Sequence, residues 1–393
     1  MSPMLATDNK TLLFEYVAEL LDIPLSDYEK ARDRYKSLGK WLLRDGSKVA
    51  HLNPEAHLQG SFRYGTVTRP LNEIEEYDLD LVCVIMLAKN EMTQKEVKGL
   101  LGEEFKAYAA ANGIKAPVVE RNRCWRLDYA DAKLFHIDAL PCVPEDQQAI
   151  SAICSLSVPR ERAESSVAIT DKRHANYDRI CSNWPCSNPR GLGDWFEDRC
   201  RAAATARMDD LVEKRAYASI AEVPSYDWKT PLQQAIQIMK RHRDVMFASK
   251  PEFAPISMII TVLAAQAYRG ERSVYDALKE MVDRMPGHVK ASTPRIGNPV
   301  NPGEDFADHW GTNSYFEINF WNWYTAIKAD IENLPALLGD QRLATEVHKS
   351  LRVDLTDKQV KQFSRATTVP AEAKSAPGIQ IPSTGLRPWR YGV

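Results

Sequence analysis

The segment at residues 58–85, LQGSFRYGTVTRPLNEIEEYDLDLVCVI, constrains this chain more than any other stretch. It begins with Gly60 and Ser61, continues through a polar loop, and ends in an apolar run typical of a buried strand. Asp78 and Asp80 stand at the start of that run. Side chains alternate between the two faces of a strand, so we expect both carboxylates on one face. Two like charges beside a core repel each other and lose hydration, so they need a cation or a basic partner.

A third carboxylate, Asp138, lies in the segment LFHIDALP, whose apolar residues alternate with it. If this strand lies beside the first, Asp138 converges with Asp78 and Asp80. Mg²⁺ is a hard ion that binds carboxylates together with substrate phosphates, and three carboxylates can hold two ions about 3.5–4 Å apart. The alternative from the residues alone is a turn or a solvated strand edge, with acids that face water.

The patterns around these acids predict an α+β fold with a mixed or antiparallel sheet. Residues 8–46 have apolar residues at helical spacing and predict a long amphipathic N-terminal helix. A second helix is predicted between Thr93, as its N-cap, and Gly113, as its C-terminal stop. The segments CWRLDY and KLFHIDALPCV, separated by a short turn at residues 130–132, predict a hairpin.

Three parts are expected along the chain. Residues 1–165 form the α+β core with the N-terminal helix, and residues 166–365 form a helical lobe that closes a cleft on the core. Thr230 followed by Pro231 favours the start of a helix in this lobe. Residues 366–393 are rich in Pro, Gly and Ser and predict a flexible tail.

Composition excludes several classes of protein. The 393 residues carry a formal net charge of −2, which gives no general attraction to nucleic acid or to an anionic membrane. An apolar run of about eighteen residues, long enough to span a bilayer, is absent from the sequence. Seven cysteines favour reduced thiols and a cytoplasmic location. Cys181, Cys186 and Cys200 match no compact zinc pattern, so buried or idle thiols are the better interpretation.

The order Gly-Ser, loop, Asp-x-Asp and a later strand Asp resembles the polymerase-β-like nucleotidyltransferase superfamily. The segments LQGSFRYGT, EYDLDLV and HIDALP are similar to one branch, the bacterial CD-NTases, which are the cGAS/DncV-like synthases of CBASS antiphage signalling. SNPRGLGDWF, LQQAIQIMKRHRD and NPVNPGEDFADHW are similar to the same branch. The resemblance runs from about residue 57 to about residue 345.

This resemblance implies a role for each matching residue. The three aspartates would be the catalytic ligands of two Mg²⁺ or Mn²⁺ ions, and Asp138 would also help to activate the acceptor hydroxyl. Gly60 and Ser61 would contact the donor triphosphate, and Lys240 and Ser257 would bind phosphate from the helical lobe. From the residues alone, a solvated helix residue is the favoured interpretation of Lys240, whereas Ser257 is equally a residue at a helix N-terminus.

Contacts to the base are harder to assign. A base is held by an aromatic face and by polar groups at its edges, and Tyr64, Trp184 and Asn188 are the candidates. From the residues alone, ordinary packing or loop structure is the favoured interpretation of each of them. Arg63 and Arg69 are candidates for offsetting phosphate charge, or else they are surface residues.

The implied activity is the synthesis of a cyclic oligonucleotide second messenger from ATP, GTP or other nucleoside triphosphates. A purine-containing cyclic dinucleotide such as cyclic GMP-AMP is the expected product, which would act on a separate effector. The tail LRPWRYGV is a candidate for joining to targets by operon-encoded conjugation machinery, or else a tail that packs or stays disordered. The competing functions are a template-free RNA-tailing or antibiotic-modifying nucleotidyltransferase, and a catalytically silent nucleotide- or RNA-binding protein. We expect no membrane association and no strong binding of nucleic acid.

Overall fold

A computed structural model describes residues 8–72, 76–129, 135–205 and 229–364 of the chain. The helices are α1 Asn9–Leu21, α2 Leu25–Leu43, α3 Gly60–Tyr64, α4 Gln94–Ala111, α5 Gln147–Ser155, α6 Arg160–Ala163, α7 Pro189–Thr205, α8 Pro231–Met246, α9 Ser257–Ala267, α10 Val274–Arg284, α11 Ser314–Ala336, α12 Arg342–Leu351 and α13 Asp357–Ser364. The strands are β1 Glu55–Leu58, β2 Tyr77–Val84, β3 Val119–Glu120, β4 Trp125–Asp128, β5 Phe135–Pro144, β6 Val167–Ile169, β7 Cys186–Ser187, β8 Gly297–Asn298 and β9 Asn301–Asp305.

The first seven strands form one mixed sheet in the order β1-β2-β5-β4-β3, in which β6 also pairs with β5, and β7 pairs with β6. Strand β5 has ten residues, and its first half pairs with β4 whereas its second half pairs with β6. Strands β2 and β5 are parallel, and β4 and β5 are antiparallel. These pairings confirm the predicted α+β class with a mixed sheet and the predicted pairing of the hairpin strands. The predicted turn at residues 130–132 lies outside the described residues.

The alternation of residues along β2 and β5 decides which face of the sheet carries the acids. Phe135, Ile137 and Ala139 are each 0% exposed and point into the core beneath the sheet, as the sequence predicts. Leu79 and Leu81 on β2 join the same core. The aspartates at the intervening positions therefore lie on the opposite face.

The N-terminal region consists of two helices, α1 and α2, rather than the one long helix predicted for residues 8–46. Pro24 separates them, because proline has no N–H to donate and disfavours the helical conformation at the residue before it. Helix α1 packs against α8 and α10, and α2 packs against β1 and α4. The break therefore allows the N-terminal region to contact both lobes.

Helix α8 lies at the centre of the helical lobe and packs against α1, α9, α10, α11 and α12. Thr230 caps its start in a capping box with Gln233, and Pro231 is the first helical residue, as predicted. The predicted bounds of α4 are also confirmed. Thr93 caps that helix, and Gly113 follows its end with a φ of +67°.

The predicted domain boundary at residue 165 stays a prediction. Elements on each side of this residue pack with the part of the fold that was predicted for the other side. Strands β6 and β7 follow residue 165 yet belong to the sheet, whereas α1 precedes it yet packs in the helical lobe. The two lobes therefore interlock. Residues 206–228 of the predicted helical lobe and the predicted tail at residues 366–393 lie outside the described residues. Within the described ranges, the helices are all too short or too polar to cross a membrane.

Candidate active site

The structure places the three predicted carboxylates side by side on one face of the sheet. In the parallel pairing of β2 with β5, Asp80 is directly opposite Asp138, and Asp78 is opposite His136. Asp78 and Asp80 share a face because they are two residues apart on one strand. The strand register therefore brings together acids that are far apart in the sequence.

Basic side chains pair with two of these acids. Arg126 on β4 donates to both oxygens of Asp138, from Nε to Oδ1 at 2.8 Å and from Nη2 to Oδ2 at 2.5 Å. His136 Nε2 lies 3.1 Å from Asp78 Oδ1. Burial lowers the pKa of His136 and the carboxylate of Asp78 raises it, with a net rise.

Asp80 has the least favourable electrostatic surroundings of the three acids. Burial raises the pKa of Asp80 well above its ordinary value, and repulsion from Asp78 and Asp138 raises it further. The positive charges of His136 and Lys240 offset only part of this effect. A divalent cation would relieve the repulsion, and carboxylate oxygens are the ligands that Mg²⁺ prefers. The residues present therefore fit a hard divalent metal.

Two groups of side chains within the described part of the chain have ligand atoms within 4.8 Å of one another: Asp78, His136 and Asp138, and Glu76, Asp128 and His136. Asp80 is in neither group, although it is in register with Asp138. The seven cysteines are all free thiols, and none of them belongs to these groups. The interpretation of Cys181, Cys186 and Cys200 as thiols rather than zinc ligands agrees with this arrangement.

Gly60 and Ser61 begin the short helix α3 next to the acids. The N–H of Gln59 donates to the backbone oxygen of Asp80 at 3.0 Å, which holds the start of α3 against β2. Gly60 has a φ of +65°, and a Cβ at this position would overlap Asp80 Oδ2. Only glycine combines this backbone conformation with so close an approach to a carboxylate.

A cleft with a volume of about 220 Å³ lies between the core and the helical lobe. Ser61 and Asp78 line it from the core, and Lys240 and Ser257 line it from the helical lobe. The other lining residues are Thr66, Val67, Thr68, Arg69, Pro70, Leu71, Glu76, Tyr77, Arg243 and Asp244. Four residues that the sequence analysis identified in separate segments therefore share one cleft.

Lys240 is 5% exposed, which excludes the alternative of a solvated helix residue. Its Nζ donates to Thr66 Oγ1 at 3.0 Å and to the backbone oxygen of Thr66 at 3.3 Å. Burial lowers the pKa of Lys240 to about 7. An anionic phosphate in the cleft would favour the charged ammonium and raise this pKa again.

Ser257 is the first residue of α9, so it is a helix N-terminal residue and a cleft residue at once. Its Oγ accepts a hydrogen bond from Arg243 Nη1 at 2.8 Å. The free N–H groups in the first turn of a helix favour an anion. The two interpretations that the sequence left open for Ser257 are therefore compatible.

The structure contradicts the prediction that Tyr64 contacts a base. Tyr64 is 3% exposed, and its ring centroid lies 5.1 Å from that of Phe196 in the core. Trp184 is 5% exposed and donates from Nε1 to the backbone oxygen of Cys181 at 2.9 Å. For both residues the packing interpretation is confirmed, since buried rings cannot stack on a nucleotide in the cleft.

Asn188 and Arg63 also have structural positions. Asn188 is 0% exposed, and its Oδ1 accepts from the N–H of Gly191 at 2.9 Å at the start of α7. Arg63 Nη2 pairs with Asp194 at 2.9 Å and with Glu197 at 3.3 Å, which fastens α3 to α7. The segment SNPRGLGDWF therefore supports the helix that begins with Gly60 and Ser61. Arg69, in contrast, lines the cleft.

Sequence reasoning missed three residues of this region: Arg126, His136 and Thr66. Arg126 and His136 lie on the same sheet face as Asp138, and their alternation with apolar residues in CWRLDY and LFHIDALP was the available signal. Thr66 is 0% exposed and hydrogen-bonds to the backbone of Ser61 and to Lys240. Its position at the end of LQGSFRYGT was visible, but its contact with Lys240 depends on the tertiary structure.

Comparisons with known proteins agree with this geometry. Residues 54–142, which include Gly60, Ser61 and the three aspartates, match the family model of the nucleotidyltransferase domain of DncV-like cyclic GMP-AMP synthases. Over 315 residues the chain is 29% identical to a c-di-GMP synthase from Roseivirga ehrenbergii, covering 78% of this chain and 76% of that relative.

Solved structures show the same fold. The CD-NTase CdnG from Bradyrhizobium diazoefficiens, solved in complex with GTP, has a TM-score of 0.65 at 19% identity and covers 91% of this chain and 99% of its own. The CdnC:HORMA-deltaN complex from Escherichia coli contributes a chain with a TM-score of 0.57 at 15% identity, covering 88% of this chain and 97% of its own. The α+β core and its helical lobe therefore have the fold of these CD-NTase structures.

Proposed function

We propose that this chain, whose residues 54–142 match the DncV-like nucleotidyltransferase domain, is a CD-NTase that makes a cyclic oligonucleotide second messenger. The observation that carries the proposal is the convergence of Asp78, Asp80 and Asp138 beside the cleft that also holds Lys240 and Ser257. A purine-containing cyclic dinucleotide such as cyclic GMP-AMP is the product we expect. The c-di-GMP synthase from Roseivirga ehrenbergii and the matching family of DncV-like cyclic GMP-AMP synthases support a purine product.

Asp78, Asp80 and Asp138 are the residues that would hold Mg²⁺ or Mn²⁺, with two ions expected. When bound, such ions lower the pKa of an attacking hydroxyl and neutralise charge on a triphosphate. Arg126 donates to both oxygens of Asp138, so a metal ion or a proton at Asp138 would compete with Arg126 for this carboxylate.

The chemistry requires two nucleoside triphosphates in the cleft. A sugar hydroxyl of one attacks the α-phosphate of the other, the new P–O bond forms as the bond to pyrophosphate breaks, and Asp138 helps to accept the hydroxyl proton. The linear product, which still carries one triphosphate, then binds in the opposite orientation, and a second attack on its α-phosphate closes the ring as a second pyrophosphate leaves. Ser61, Lys240 and Ser257 line the part of the cleft where we place the donor triphosphate, so they contribute positioning and charge neutralisation.

The deciding experiment is incubation with all four nucleoside triphosphates and Mg²⁺ or Mn²⁺, followed by phosphatase treatment and mass spectrometry. A cyclic product survives the phosphatase because it has no terminal phosphate, and we expect it from the wild-type chain but not from the D78A/D80A variant. An RNA-tailing or antibiotic-modifying enzyme needs a further acceptor and leaves nucleotide alone unconsumed. A catalytically silent binding protein consumes nucleotide neither when it is supplied alone nor when a further acceptor is present.

The proposed biological role is antiphage defence in the cytoplasm, with a separate effector that responds to the product. Nucleoside triphosphates are the partners that the cleft supports. We keep as a separate proposal that operon-encoded conjugation machinery joins the C-terminal tail, residues 366–393, to targets. Coexpression with that machinery, followed by intact-mass measurement, tests this conjugation proposal. A chain of unmodified mass throughout would contradict it without affecting the synthase proposal.

A further inference from the structure

Thr66 lies where the two lobes meet in the wall of the cleft. Its N–H donates to the backbone oxygen of Ser61 at 2.9 Å. Its Oγ1 accepts from Lys240 Nζ at 3.0 Å, and its backbone oxygen accepts from the same atom at 3.3 Å. Thr66 is 0% exposed. One buried residue is therefore bonded to both Ser61 of the core and Lys240 of the helical lobe.

The loop that contains Thr66 is fastened to α8 by a row of side chains at helical spacing. The donors and their backbone acceptors are Gln233 to Tyr64 at 2.9 Å, Gln237 to Val67 at 2.6 Å and Arg241 to Arg69 at 2.5 Å. Positions four residues apart lie on one face of a helix, so this face of α8 follows the loop. Because these bonds hold the loop on both sides of Thr66, the Thr66 hydroxyl is not needed to keep the loop in place.

The hydroxyl instead acts on Lys240. A lysine side chain has four rotatable bonds, and holding it in one orientation costs conformational entropy. The hydrogen bond from Nζ to Thr66 Oγ1 provides that orientation before any ligand arrives. A group that is already oriented binds its ligand more tightly, since less freedom is lost on binding.

We propose that Thr66 is a positioning residue for triphosphate binding, whose hydroxyl holds the Lys240 ammonium beside Ser61 so that both reach one phosphate chain. This inference rests on the proposed use of the cleft for a triphosphate. It assigns to Thr66 no contact with the reacting atoms. Loss of the hydroxyl should therefore weaken binding of the phosphate chain and leave the chemical step largely unchanged.

The test compares Thr66→Val, which replaces the hydroxyl with a methyl group, and Thr66→Ser, which keeps the hydroxyl. The probes are inorganic tripolyphosphate and the α,β-methylene analogue of GTP, each with Mg²⁺, and their Kd values are measured by calorimetry. We expect Thr66→Val to weaken binding of both probes by about tenfold, the effect of losing one hydrogen bond to a charged group, and Thr66→Ser by less than about threefold. In turnover, the KM of Thr66→Val should rise with little change in kcat.

Thr170→Val is the matched control. Thr170 is also 0% exposed, and its Oγ1 donates to the backbone oxygen of Arg123 at 3.3 Å outside the cleft lining. We expect this variant to keep wild-type Kd values. If Thr66→Val fails to fold, Thr66→Ala replaces it, since it removes the hydroxyl without placing a methyl group against the ammonium.

Three results would overturn the inference: unchanged tripolyphosphate binding in Thr66→Val, equal losses in Thr66→Val and Thr66→Ser, or a loss in kcat alone. The outcome is separable from that of the proposed function. If Thr66→Val loses tripolyphosphate affinity while the wild-type chain makes no cyclic product, the positioning role stands and the synthase proposal fails. A wild-type chain that binds neither probe overturns both.

Discussion

Replacing Asp80 with Asn should stabilise the metal-free protein while abolishing its activity. Asp80 is partly buried opposite Asp138 and near Asp78, and these surroundings raise its pKa well above the ordinary value. Asn has nearly the same shape and no charge. The substitution therefore removes an unfavourable charge from the folded state without leaving a cavity.

The size of the effect follows from the strand spacing. Neighbouring strands lie about 4.8 Å apart, and two unit charges at about 5 Å interact by roughly 3 kcal/mol at an effective dielectric constant of about 20. Arg126 already neutralises Asp138, and the side chain of Asp78 is 50% exposed, so solvent screens part of the repulsion. We expect the D80N variant to gain about 1–2 kcal/mol of unfolding free energy, which raises Tm by a few degrees.

The assay is thermal unfolding of wild type and D80N across pH, in a chelator and again with Mg²⁺ and a triphosphate. Because the folded-state pKa of Asp80 is raised, the charged carboxylate costs stability at every pH above that pKa. As the pH falls through it, the folded wild type takes up a proton and the cost begins to shrink, and it is gone only below the ordinary pKa that the carboxyl has in the unfolded chain. The advantage of D80N should therefore shrink on acidification. With Mg²⁺ and triphosphate the order should reverse, since the wild type gains more binding free energy.

Asp33→Asn is the control for the general effect of removing an acid. Asp33 is an exposed residue of α2 that pairs with Arg32 at 3.5 Å and does not line the cleft, so its removal should leave Tm nearly unchanged in all conditions. The electrostatic reasoning fails if D80N is less stable than wild type in chelator. It also fails if Mg²⁺ with triphosphate stabilises D80N as much as the wild type.

Three further predictions concern the residues around the acids. Lys240→Met should lose triphosphate affinity yet keep or gain thermal stability. In the wild type, triphosphate binding above about pH 7 should be accompanied by proton uptake, because the bound phosphate raises the Lys240 pKa from about 7. Calorimetry in buffers of different protonation enthalpy measures this uptake. Gly60→Ala should lose activity, because the added Cβ would overlap Asp80 Oδ2. Gly46→Ala should keep activity, since Gly46 also has a positive φ but no atom within 4 Å of the added Cβ. Equal product yields from the two variants would contradict the argument that Gly60 is needed for its close approach to Asp80. Arg126→Met should lower the unfolding free energy in chelator by about 1–3 kcal/mol, since Asp138 loses its partner. The same variant should bind Mn²⁺ more tightly, as measured by electron paramagnetic resonance. Weaker Mn²⁺ binding would contradict competition between Arg126 and the metal.

Local patterns in the sequence were sufficient for the elements that carry the acids. Alternation along β2 and β5 predicts that Asp78, Asp80 and Asp138 leave the core face, and this follows from the two-residue period of a strand. Caps at Thr93 and Thr230 predict helix starts correctly, because a cap hydrogen bond joins residues close in sequence. Pro24 is a local signal for the break between α1 and α2, but the apolar residues at helical spacing over residues 8–46 led to the prediction of one continuous helix.

The sequence by itself determined that one face of the sheet carries the three carboxylates, since the residue types and the two-residue period of a strand decide which side chains share a face. Only the tertiary structure decided which strands are neighbours, and so it decided that Arg126 pairs with Asp138 and that Tyr64 is covered by Phe196. The same holds for Lys240, which reaches Thr66 across the boundary between the lobes. The physical reason is that a contact between distant segments depends on how whole elements pack, and one buried helix face can pack against many partners before the fold selects one.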